Sequence, residues 1–319
     1  MKPCLEGPIV RLFAELIPSL GLGFWIGRIK PEWTQALARP LVRFGVPLSV
    51  IGLLLKSGVN GDLLATALIA MAAIASWMLA LQALPPRLRP VQTPTLQIGC
   101  VLGNTAYFGI PVALALLPSH ALPMSIGYDL GATLLAWSLG PFWLQRQAGG
   151  LRELCSHLGA SPATRGLIGA LIVQTTPWRE AIASSLWLPS RIIIILALVV
   201  VGMRLGALQQ LQVAQATRLE SARHRSAWGE RPMALLGKLT LFPAWVWLIG
   251  QLLPLEPVMR QALVLQGAAP AAISVLLMAE QAGKDADLAA QLILRSTVIA
   301  LFSVPLWWWI TQKTLFGTP

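Results

Sequence analysis

Gly103-Asn104-Thr105-Ala106-Tyr107-Phe108-Gly109-Ile110-Pro111 lies inside an apolar run, 94–117, that is long enough to cross about 30 Å of hydrocarbon. Proline removes an amide donor and obstructs the carbonyl one turn back, while glycine tolerates non-helical dihedrals. In lipid, backbone groups freed in this way persist only inside protein or beside a watery cavity. The stretch therefore predicts a membrane helix broken at a buried site near Pro111. A second run, 259–282, carries Gln266-Gly267-Ala268-Ala269-Pro270-Ala271-Ala272-Ile273-Ser274, with its own proline about half a chain length further on.

Working outward from these two stretches, apolar runs and their Gly, Pro and polar punctuation give ten candidate spans: 7–27, 40–56, 63–84, 94–117, 122–145, 162–178, 186–207, 233–253, 259–282 and 286–312. Composition agrees, with 55% apolar residues, 12% charged residues and a mean hydropathy of +0.67, too little charge to cover a soluble surface of this size. Arg11 and Glu15 interrupt the first apolar stretch, so it reads as a spanning helix with an internal i,i+4 ion pair rather than as a cleaved signal. The one sizeable polar interruption, 209–232, reads as a cytoplasmic insertion, either an interfacial helix or a loop.

The net charge of +11 sits mainly in short connections, not on a basic face interleaved with aromatics, which argues for a lipid bilayer and against nucleic acid. Odd-numbered connections hold about sixteen Lys and Arg, counting Arg43, Arg204 and Lys238 beside them, against about six in the even connections and termini. Both termini are therefore expected outside the cytoplasm, in a plasma (inner) membrane. Trp307, Trp308 and Trp309 would then form an aromatic belt at the outer end of the last span. Cys4, Cys100 and Cys155 are odd in number and lack metal-ligand spacing, and His120, His157 and His224 are scattered. No cofactor and no metal site is expected.

The two prolines each fall in the fourth span of a five-span half. Because five is odd, the second half enters from the opposite side, and related halves become inverted repeats, the arrangement common in secondary transporters. The expected organisation is a first repeat at 1–146, a cytoplasmic connection at 147–161 and a second repeat at 162–319. Half-helix N-termini at mid-membrane would offer positive dipole ends to an anion, with Asn104 adding an uncharged donor and acceptor.

Asn104-Thr105-x-x-x-Gly109-Ile110-Pro111 resembles the fourth-helix motif of the auxin efflux carrier family, which includes plant PIN-type exporters and bacterial organic-acid permeases. The stretch Gln266 to Pro305 is similar to that family's ninth and tenth helices: a proline break, Met278-Ala279-Glu280, a polar turn at Gly283-Lys284-Asp285, then Leu288-Ala289-Ala290 leading to Ser296-Thr297. The resemblance implies an all-α membrane protein of ten transmembrane helices, two inverted five-helix repeats with crossed, broken helices four and nine. It also implies a permease for a small organic anion.

The candidate substrate-binding residues are Asn104, Thr105, Gly109 and Pro111 from the fourth span, Ala269, Pro270 and Ser274 from the ninth, and Arg295 from the tenth. A charge inside a span is expensive, about 2.5–3.5 kcal/mol on insertion scales, and invites a functional reading. For Arg295 that reading is attraction of a carboxylate, set against snorkelling to the inner surface. Asp129 is the coupling candidate, for a proton or sodium, set against a packing residue near the outer interface. Tyr107 and Phe108 read as packing, with a ring able to flank a pocket. Three function classes compete: a carrier, including a sodium-coupled symporter of the bile-acid type; a non-transporting receptor or assembly subunit; and an intramembrane enzyme, for which no nucleophile or metal motif exists. The carrier is preferred, and a second copy of the chain is a candidate partner.

Overall fold

The computed structural model describes residues 6–145, 162–216 and 229–316. Within them the regular structure is helical, with one isolated antiparallel bridge between Gly103 and Ala271. Ten helices follow in chain order, two of them interrupted. They are α1 (Glu6–Ile29); α2, made of Pro31–Pro40 and Val46–Ser57 joined by a π segment at Leu41–Gly45; α3 (Gly61–Ala83); and α4a (Pro94–Val101). After a break come α4b, a π turn at Thr105–Gly109 running into Ile110–Leu116, then α5 (Leu122–Gln145), α6 (Pro162–Gln174) and α7 (Arg179–Ala216). The last are α8, Glu230–Leu236 and Phe242–Leu252 joined by a π segment at Gly237–Leu241, then α9a (Pro257–Gly267), α9b (Ile273–Ala282) and α10 (Ala286–Phe316).

Several boundaries follow from local chemistry. Pro31, Pro94 and Pro257 occupy first-turn positions, where a missing amide costs nothing. Gly283, with φ 62°, closes α9b: its N–H donates to Glu280 O and that of Lys284 to Ala279 O, the paired bonds of a left-handed C-terminal cap. The polar-looking residues before 186 turn out to be helical. Glu180 suits the first turn of α7 electrostatically, so the helix begins at Arg179. At its far end α7 continues to Ala216 and absorbs the start of the polar segment 209–232. Residues 217–228 of that segment, and the connection at 147–161, lie outside the described residues.

Six helices among the described residues are long and apolar enough to cross a membrane. Their outer faces carry large exposed apolar side chains, such as Leu64, Leu68 and Leu79 on α3 and Phe302 and Leu306 on α10. Exposed apolar surface of this extent suits lipid rather than water. The described residues are all-helical, and the protein is an integral membrane protein.

Packing divides the bundle. α1, α2, α6 and α7 form one group; α3, α5, α8, α10 and the two broken helices form the other. Small residues set the closest contacts, as expected where lipid removes a hydrophobic drive between helices. A Cβ at Gly23 or Gly27 would strike the carbonyl of Val199 or Met203 on α7, and one at Gly202 or Gly206 would strike that of Leu20 or Phe24 on α1. The same device joins α3 to α5, where Gly127 and Gly131 meet the carbonyls of Leu63 and Ala67.

The tryptophan triplet departs from a simple belt. Trp309 is exposed and carries Lys313 Nζ 3.9 Å above its ring, but Trp308 is buried and Trp307 donates to Leu239 O at 2.9 Å. That carbonyl belongs to the π segment of α8, so Trp307 serves the interior. The Arg11–Glu15 pair forms as expected, at 3.2 Å, and Arg191 approaches the same carboxylate at 3.6 Å.

Gly27→Leu is expected to separate α1 from α7 and to cost about 1–3 kcal/mol, read as a lower unfolding midpoint in detergent. Gly21→Ala, where a Cβ meets nothing within 4 Å, should be neutral or slightly stabilising; equal effects for the two would contradict the assigned contact.

Candidate functional site

The two breaks meet. Each interrupted helix exposes backbone groups that lipid cannot satisfy, and each break satisfies the other's. The Asn104 N–H donates to Pro270 O at 2.7 Å, and the Ala272 N–H donates to Leu102 O at 2.9 Å. The Ala271 N–H donates to Ser296 Oγ on α10 at 3.0 Å, while Pro270 has no amide to satisfy. Gly103 and Ala271 form the bridge between these bonds. Gly109 allows the close approach beyond it, since a Cβ there would collide with the Gln266 side-chain amide.

A cavity of about 230 Å³ opens beside this crossing. Its walls come from both helix groups. Asn104, Thr105, Ala106 and Tyr107 begin α4b, Ala272, Ile273 and Ser274 begin α9b, and Asp129 and Thr133 come from α5. Across from them stand Val42 and Val46 of α2, Pro162 of α6 and Arg204 of α7. Two helix N-termini thus face one cavity, and their unpaired N–H groups and dipoles favour a negative charge there. The Asn104 side chain makes no hydrogen bond among the described residues and lines the same space. Thr105 Oγ1 donates to Asp129 Oδ1, so the carboxylate is held against the start of α4b.

Arg204 also lines a wider basic vestibule of about 640 Å³ with Arg39, Arg43 and Arg165, which shares Val42 and Pro162 with the inner cavity. No hydrogen bond or ion pair engages Arg204 among the described residues. On the far side of the crossing, Lys238 is fully buried, and its Nζ donates to Gly267 O, at the C-terminal end of α9a, at 3.0 Å.

The expected residues separate into three groups. Asn104, Thr105 and Ser274 line the cavity, and so does Asp129, which meets Thr105 at the crossing. Gly109, Ala269 and Pro270 build the crossing itself, each buried. Pro111 is buried in the first turn of the α-helical part of α4b, beyond the π turn, so the break falls at 102–104 and not beside the proline. Arg295 stands apart: it is exposed on α10 and does not line the cavity. Of the aromatic pair, Tyr107 flanks the cavity and Phe108 packs fully inside.

Arg204 and Lys238 are the residues that loop counting concealed. Both lie near span ends and so count with the connections, yet each sits on an apolar helix between hydrophobic neighbours. The signal was in Leu235-Leu236-Gly237-Lys238-Leu239, a lone cation inside an apolar run. The π segment at Gly237–Leu241 turns it inward, in keeping with the frequent use of such bulges at functional sites.

Residues 150–308 match the family described as Membrane transport protein. An uncharacterized transporter of Methanothermobacter thermautotrophicus is 24% identical over 291 residues, covering 88% of this chain and 90% of that one. The chain is a membrane transporter and not an enzyme. Over residues 150–308 it is similar to the membrane transport protein family, that of the auxin efflux carriers.

Thr105→Val removes the donor to Asp129 and is expected to cost about 1–3 kcal/mol, while Thr105→Ser should stay within about 1 kcal/mol. Unfolding midpoints of the purified variants check this; indistinguishable values for Val and Ser would remove the bond from the account.

Proposed function

We propose that the protein is an auxin-efflux-carrier-type permease that moves a small organic anion, a carboxylate, by alternating access around the crossing. In this reading ten helices span the plasma (inner) membrane as two inverted repeats, 1–146 and 162–319, with both termini extracytoplasmic. The observation that carries it is the convergence of two helix N-termini, Asn104 and Arg204 on one cavity lined by both helix groups. An anion there gains dipole stabilisation from α4b and α9b, an amide donor from Asn104 and a charge partner in Arg204. Rocking one group against the other would open the same cavity to either side, as in other carriers built from broken helices.

Asp129 shapes the coupling. A carboxylate in the cavity that receives a carboxylate is repulsive by about 1–4 kcal/mol at contact distance, depending on the local dielectric. Protonation of Asp129 relieves that repulsion, so proton movement accompanies anion binding. The basic vestibule formed with Arg39, Arg43 and Arg165 belongs to the cytoplasmic side, where the positive-inside rule puts these residues, and concentrates anions at the mouth. A receptor that had lost transport would bind carboxylate without flux.

Uptake by proteoliposomes tests this directly. Asn104→Ala is expected to abolish carboxylate flux while the protein still inserts and folds, and near-normal flux would end the site assignment. Arg204→Gln should weaken carboxylate affinity ten- to hundredfold, in line with loss of about 1.5–3 kcal/mol for a charge-assisted bond. Arg295→Gln should leave affinity unchanged; the opposite ranking of these two arginines would refute the proposed geometry.

A further inference from the structure

We infer that Lys238 is a tethered cation that occupies, at the C-terminal end of α9a, the place a coupling metal ion would take, so that the carrier cycles without sodium. The inference rests on the carrier reading above but draws on the opposite side of the crossing. The cavity side collects helix N-termini and favours an anion. The other side presents the carbonyl end of α9a, which favours a cation. Broken-helix transporters use unwound carbonyls and half-helix C-termini for small cations. Here the cation is supplied by the chain.

Four observations converge on it. Lys238 has no solvent exposure, and its Nζ donates to Gly267 O at 3.0 Å. The ammonium lies 5.0 Å from the centroid of the Phe242 ring, in cation–π range. It reaches the crossing itself, because a Cβ at Gly103 would lie 3.2 Å from Nζ. No carboxylate pairs with it among the described residues, so a helix end and a ring replace the usual acidic partner.

A lysine that merely staples the break and one that stands in for an ion differ in what can replace them. Removing the side chain leaves Gly267 O and its neighbours around an empty position of ammonium size. A small cation should fill it; a bulky one should not. Detergent-purified protein is therefore melted in equal concentrations of sodium, lithium, ethylammonium and choline chloride. Wild-type protein is expected to melt within about 1 °C in all four, because nothing binds a site already filled. Lys238→Ala and Lys238→Thr should melt lower in choline and regain stability, saturably, in at least one of the small cations.

Saturable stabilisation of wild-type protein by sodium would overturn the inference, and this arm holds even if both variants fail to fold. So would folded variants that no small cation stabilises beyond choline. None of these measurements requires transport. A protein that moves no carboxylate in liposomes would defeat the carrier reading and leave the cation result standing.

Discussion

Two backbone hydrogen bonds across the crossing, Asn104 N–H to Pro270 O and Ala272 N–H to Leu102 O, make the rest of the structure possible. A helix can be interrupted in hydrocarbon only if the freed groups find partners, since each left alone costs several kcal/mol. Two interruptions at the same depth solve the problem together. Ser296 takes the remaining amide of Ala271, and the proline contributes by lacking one. Once the breaks are closed on each other, their four helix ends point in fixed directions. Both N-termini go to the cavity, and the carbonyl end of α9a goes to Lys238. Site polarity is a consequence of how the backbone was satisfied.

This explains which parts of the sequence were readable. The Gly and Pro positions in 94–117 and 259–282 state a backbone problem, and backbone problems in lipid have few solutions, so the broken helices were legible; that they cross was implied by the family resemblance. Asn104, Thr105 and Ser274 could be named because they adjoin the breaks. The break itself was displaced from Pro111 because a π turn at Thr105–Gly109 intervenes, and π segments leave no periodic signature in a stretch this short.

The charged residues were harder. A count of Lys and Arg by connection treats every cation near a span end as a surface residue, which is right for Arg39 but misplaces Arg204 and Lys238. Helical direction decides their roles: a shift of one residue in register, such as the bulge at Gly237–Leu241, moves a lysine from lipid headgroups to the interior. Arg295 shows the converse. Its position within an apolar run allowed either a carboxylate site or snorkelling to the inner surface, and its side of α10 faces out. The glycine pairs of α1 with α7 were also invisible, because Gly23, Gly27, Gly202 and Gly206 acquire meaning only once the two helices are known to touch.

The most direct test of an anion site at the crossing compares ligands of equal shape and different charge. Purified protein is titrated calorimetrically with a panel of small carboxylates and the corresponding uncharged amides. At least one carboxylate should bind saturably, with its amide weaker by tenfold or more. Equal binding of carboxylate and amide, or a preference for organic cations, would contradict the account.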